Sequence, residues 1–155
     1  MKNFLILIAV CLLLVACGSN SSDQPETGEM DTVEVMYSWE ALLNDSTGKM
    51  EVKKIEQGGP DTLTVASMIA YLNSRNPNVQ LLFVRSSGDT LYVAIPEATY
   101  LTQQMGSTGP ALFFAETVYN LTEIPGIRFV NFGFEEGDHA SPDVLSRDRF
   151  NNKDL

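Results

Sequence analysis

The sequence predicts an α+β domain: a small, mostly antiparallel sheet with two helices packed on one face. Three observations carry that expectation. Apolar residues alternate with period two near residues 33–37 and 90–95, as half-buried strands require, and the nearly continuous apolar run at 79–84 suits a strand covered on both sides. Residues 62–74 and 110–121 instead place apolar side chains at helical spacing. From Thr62 onward the order is helix, strand, strand, helix, strand, preceded by an N-terminal strand pair, an arrangement in which helices cover one face of a sheet.

Each element has its own warrant. Val33, Val35 and Tyr37 alternate with Glu34, Met36 and Ser38 in the first strand. The turn cluster Asn44-Asp45-Ser46-Thr47-Gly48 separates it from a second strand, Met50–Ile55. Gly58-Gly59-Pro60 breaks the chain, and Asp61 or Thr62 caps a helix to about Ser74 with Val65, Met68, Ile69 and Leu72 on one stripe. Asn76-Pro77 stops it, because the residue before a proline disfavours helix. Val79, Leu81 and Phe83 face one way and Leu82 and Val84 the other, which predicts a central strand covered on both sides. Ser86-Ser87-Gly88-Asp89 forms a hairpin turn into Thr90–Ile95, and Pro96 ends that strand or marks an edge. Pro110 suits the first turn of a second helix carrying Phe114, Val118 and Leu121 on its apolar face. Pro125-Gly126 terminates it, Ile127–Phe132 is the last strand, and the polar remainder from Glu135 is expected to be peripheral.

Composition bounds the function. A chain of 155 residues, 44% hydrophobic and 19% charged, can bury one core of ordinary domain size. Ten basic residues against 20 acidic ones give a net charge of −10, which argues against a nucleic-acid surface, since phosphate binding needs clustered Lys and Arg. The same charge is repelled by anionic headgroups, so membrane attachment must be covalent or hydrophobic. Two cysteines build neither a disulfide framework nor a four-cysteine zinc site.

The N-terminus reads as an address. Met1-Lys2-Asn3 is a short basic start, and the apolar run from Phe4 to Ala16 has signal-peptide length, too short to span a bilayer. Leu14-Val15-Ala16-Cys17 resembles the lipobox of bacterial lipoproteins. On that reading residues 1–16 are a signal peptide and Cys17 carries a diacylglycerol, the only cofactor-like group expected. Residues 17–31 are then the lipidated cysteine and a flexible, acidic tether, 32–150 a single domain and 151–155 a disordered end. The cleaved signal takes Cys11 and Lys2 with it, leaving no free thiol and a charge one unit more negative. Gly18, where an aspartate would resemble an inner-membrane retention signal, favours the outer membrane in a Gram-negative source.

The stretch Ser107–Val130, with Leu121, Thr122, Pro125, Gly126, Ile127 and Val130 and then Gly137, resembles the C-terminal half of the GerMN (sporulation and spore germination) domain. Thr90–Pro96 looks like that family's preceding strand, so the likeness covers roughly residues 60–137. A single copy, a short N-terminal section and the tail Gly137-Asp138-His139 depart from the pattern. The resemblance implies an extracytoplasmic, often lipid-anchored binding or assembly module with no transferable ligand residues.

Candidate chemistry is sparse. His139 is the only histidine, within Glu135-Glu136-Gly137-Asp138-His139 and near Asp143. Its residues are expected to form a solvated turn; Glu135, Glu136, Asp138 and His139 are the alternative metal ligands, and His139 the one histidine available to a hydrolase. Gly106-Ser107-Thr108-Gly109 lacks the lysine of a phosphate-cradling loop and reads as a turn before the helix. Asp31-Thr32-Val33, Asp61-Thr62-Leu63 and Asp89-Thr90-Leu91 resemble a short O-glycosylation acceptor, but Asp-Thr is also ordinary turn and cap chemistry. Trp39 reads as a core anchor or hairpin cover. Phe113 and Phe114 cannot both face the core from adjacent helical positions, which leaves one for a partner.

The expected function is a lipid-anchored, non-enzymatic binding or scaffolding domain outside the cytoplasm. Its expected partners are the membrane, through the anchor, and an envelope protein or glycan; nucleic acid is not among them. The alternatives are a small envelope hydrolase or metal-binding protein centred on His139, and a small-ligand carrier, which needs a concave apolar pocket.

Overall fold

The structure, a computed structural model, describes residues 36–151. The signal peptide, Cys17, the tether, Val33 and Val35, and the C-terminal residues after Asn151 lie outside the described residues. Strands β1 (Ser38–Leu43) and β2 (Met50–Ile55) form a hairpin. Helix α1 (Val65–Arg75), strands β3 (Leu82–Ser87) and β4 (Thr90–Ala94), helix α2 (Gly109–Leu121) and strands β5 (Phe129–Gly133) and β6 (Asp143–Leu145) follow. The hairpin is its own two-stranded sheet; the rest make a four-stranded sheet in the order β3-β4-β5-β6. Only β4 and β5 run parallel, because α2 connects them as a crossover; the other pairs are antiparallel. The predicted α+β class stands.

One core holds the fold. Leu91 and Val93 of β4 and Val130 and Phe132 of β5 project to the helix side, where they meet Met68, Ile69 and Leu72 of α1 and Phe114, Val118 and Leu121 of α2. The Phe114 ring packs edge-on against Phe132, with centroids 4.9 Å apart. Phe113 is buried as well, at 4% exposure, so neither phenylalanine is free for a partner. The outer sides of the helices have the β1–β2 hairpin for cover. Tyr71 of α1 donates to Ser38 Oγ, and Arg75 bridges Glu40 of β1 and Glu116 of α2 at 3.1 and 3.0 Å. Burial alone would lower the Arg75 proton affinity, but Glu116, Tyr71 and Glu40 together hold it above the ordinary guanidinium value.

Several sequence expectations need correction. The first strand begins at Ser38 and contains Trp39, which the sequence placed after it. The cap of α1 is Thr64, not Asp61 or Thr62: Thr64 Oγ1 accepts from Ser67 N, and Ser67 Oγ returns a bond to Thr64 N, a reciprocal capping box. Strand β3 is not central and covered. It is an edge, and all six of its residues are exposed, while Val79 and Leu81 just before it are buried. Helix α1 touches the start of β3, but its cover ends at Leu81, and the six side chains of the strand stay exposed. The residues after Glu135 are not peripheral throughout, since Val144 and Leu145 pair with β5, Leu145 enters the core, and Ala140 and Phe150 pack against it. A π-helical turn, Tyr100–Gln104, was also unanticipated; it buries Leu101 and Thr102.

Candidate interaction surface

The four-stranded sheet has a second face, and among the described residues no helix packs on it. Strand register defines its rows. Arg85, Tyr92, Asn131 and Val144 stand side by side across all four strands, with Leu82, Ala94 and Gly133 on one side and Ser87, Thr90 and Phe129 on the other. The alternation follows from strand geometry: the partners that point the other way, Leu91, Val93, Val130 and Phe132, are the core. A bulge at Val84 shifts the β3 register and brings Arg85 opposite Tyr92. The guanidinium then lies over the tyrosine ring, 3.5 Å from its centroid. None of these ten residues is a carboxylate, although the chain has twice as many acidic as basic residues. The one nearby ion pair, Arg128 with Asp89 at 3.9 Å, sits at the hairpin-turn end.

A different cluster ties the N-terminal hairpin to the end of α2. Glu123 accepts from Trp39 Nε1 at 2.9 Å and from Tyr37 Oη, and pairs with Arg147, whose guanidinium also donates to Thr122 Oγ1 and Tyr119 O. The same guanidinium lies 4.9 Å from the Tyr119 ring and 5.4 Å from that of Trp39. Burial would raise the Glu123 pKa, but the bonds from Tyr37, Arg147 and Trp39 outweigh it and hold the carboxyl below its ordinary value. Both oxygens of the Glu123 carboxylate are engaged within the domain, so the cluster acts as a structural clasp. Trp39, read from the sequence as a core anchor or hairpin cover, anchors the hairpin through Glu123 and Asn120.

The residues around His139 do not assemble. His139 is exposed in the turn closed by Gly137 and Ala140, and its main-chain N–H donates to Thr102 O at 2.9 Å. It lines a groove of about 250 Å³ with Ser107, Asp143 and Arg149, whereas Glu135 and Glu136 line a different one with Glu97. No hydrogen bond among the described residues joins Ser107, His139 and Asp143; Asp143 Oδ1 instead accepts from Val144 N. Among the described residues no three His, Cys, Asp or Glu side chains stand where they could hold a metal ion. Thr62 is exposed, Thr90 is half-buried at the start of β4, and Thr32 lies outside the described residues.

Sequence reasoning concentrated on His139 and passed over Tyr92, Phe129 and Asn131. Their signal was present: in both inner strands the positions alternating with the core carry no charge, and Tyr92, Phe129 and Asn131 among them carry large aromatic or amide groups. The chain matches no protein-family model, no curated protein and no solved structure. No helix among the described residues is long and apolar enough to cross a membrane.

Proposed function

We propose that this protein is a lipid-anchored, non-enzymatic binding or scaffolding domain held outside the cytoplasm, with an envelope protein or glycan as its partner. The observation that carries this reading is the uncovered sheet face around Arg85, Tyr92, Asn131 and Val144. Among the described residues it is the face of the sheet without helices, its rows carry no carboxylate, and it combines aromatic, amide and apolar groups as recognition surfaces do. The residues of the GerMN resemblance support the reading in a second way. Leu121 and Ile124 are buried and Gly126 adopts φ 86°, so the helix–turn–strand segment positions β5, which contributes Phe129 and Asn131 to that face.

The anchor rests on Leu14-Val15-Ala16-Cys17. Metabolic labelling with a radioactive fatty acid should mark the wild type and not Cys17→Ala; an unlabelled wild type removes the anchoring and the localisation together. The binding face is tested with a photoreactive residue in place of Val144 in whole cells. An envelope protein or glycan adduct, lost on adding Tyr92→Asp, is expected. If Val144 yields no adduct while surface positions elsewhere do, the face is not the binding site.

A further inference from the structure

From the edge of β3, which no other strand among the described residues pairs, we infer that two copies of this chain pair edge to edge, β3 against β3 of the second copy, to make one continuous eight-stranded sheet. The inference rests on the lipid-anchored reading for its orientation, not for the pairing itself. The two edges of the sheet differ in kind. Strand β6 is three residues long, carries Asp143 and runs into the helical turn Arg147–Arg149, devices that discourage pairing. Strand β3 is six residues long and exposes Leu82, Phe83 and Val84 at 53%, 53% and 56%. Its single charge, Arg85, is folded back onto Tyr92 of its own sheet. Leu82 shares the uncovered face with Ala94, whereas Phe83 shares the helix side with Val93. An occupant lying flat on either face would cover only one of them. A strand added in the plane covers both.

Charge and symmetry select a second copy as that strand. Two bodies of strongly negative charge approach with least repulsion where neither has a carboxylate, and residues 79–88 contain none. Antiparallel pairing of a strand with itself is self-complementary, with its two-fold axis normal to the sheet. Both helix layers, and the β1–β2 hairpins that cover them, then lie on one side. Met36, the first described residue, lies two positions before that hairpin, and the chain toward the tether and Cys17 continues from it. Both tethers therefore start from the same side, as two chains anchored in one membrane require. The two uncovered faces merge on the other side, turned toward a partner. Packing face to face would send the tethers in opposite directions. Co-anchoring raises the local concentration of the two copies and so the fraction paired, without being required for it.

The test uses the full chain carrying two different epitope tags, co-expressed and extracted from membranes in detergent. Capture of one tag should recover the other. Leu82→Glu/Phe83→Glu should lower that recovery about tenfold or more by opposing like charges across the edge. Mixing this variant with Leu82→Lys/Phe83→Lys should restore it. Both side chains are more than half exposed, so thermal unfolding of the variants should match wild type. Absent co-recovery, co-recovery indifferent to both charge variants, or a foreign peptide recovered on β3 in place of a second copy overturns the pairing. Loss of fatty-acid label with co-recovery intact overturns the anchor alone.

Discussion

The side-chain amide of Asn120 treats the main chain of Trp39 as a neighbouring strand would. Its Oδ1 accepts from Trp39 N at 2.9 Å and its Nδ2 donates to Trp39 O at 2.8 Å. Asn120 is completely buried and also donates to Glu116 O, so one helical residue satisfies main-chain groups of β1 that the hairpin itself leaves open. This is how a two-stranded sheet, marginal by itself, is held against α2.

Asn120→Ala should therefore destabilise the fold by about 2–3 kcal/mol, since it strands a buried N–H and C=O as well as losing the bonds. Urea unfolding measures it. Loss of Trp39 fluorescence change at lower urea than the far-ultraviolet transition would show the hairpin detaching first. A cost below about 0.5 kcal/mol would mean the amide is not what holds β1.

Glu123 predicts a pH dependence. Its carboxyl is held below the ordinary value of 4.5, so the folded state favours the charged form more than the unfolded chain does. Such a group contributes stability that is complete above pH 4.5 and is lost as pH falls through the lower folded-state value. Glu123→Gln should consequently be less stable than wild type at neutral pH, with the two converging below pH 4.5. Parallel curves from neutral to acid pH would contradict the clasp of Tyr37, Trp39 and Arg147 on this carboxylate.

Thr117 tests the opposite kind of burial. It is fully buried in α2, and its hydroxyl is the one buried side-chain polar group among the described residues with no hydrogen-bond partner. Thr117→Val keeps the shape and removes the stranded group, so stability should be unchanged or higher by about 1 kcal/mol. Differential scanning calorimetry reads the direction. A clear loss would mean the hydroxyl has a partner when folded.

What the sequence disclosed and what it hid divide along the range of the interactions. Helices α1 and α2, the Gly88 turn at φ 59° and strand β4 were legible, because periodicity and turn chemistry are local. Thr64 was passed over as a cap because its N3 partner is Ser67 rather than the more familiar glutamate or glutamine. The roles of Glu123 and Arg147 could not be read, since Tyr37 and Trp39, which bond Glu123, are over 80 residues away, and Trp39, whose ring Arg147 faces, is further still from Arg147. Asn120 was hidden for the same reason. The apolar run at 79–84 has the composition of a buried strand, and only the reach of the helix layer determines where its cover stops.

That boundary yields a direct stability contrast between two adjacent leucines. Leu81 and Leu82 are neighbours of identical chemistry, at 1% and 53% exposure. Leu81 is in the core, and its main chain is fixed by Asn73, whose Oδ1 accepts from Leu81 N at 2.8 Å and whose Nδ2 donates to Leu81 O at 3.0 Å. Leu81→Ala removes core volume that clamped surroundings cannot close, and should cost about 2–5 kcal/mol. Leu82→Ala removes surface already in contact with water and should change stability by no more than about 0.5 kcal/mol in the dilute, dissociated chain. Urea unfolding of both at low protein concentration compares them directly. Were the two costs equal, β3 would be covered on both sides after all, and its free edge would vanish with the contrast.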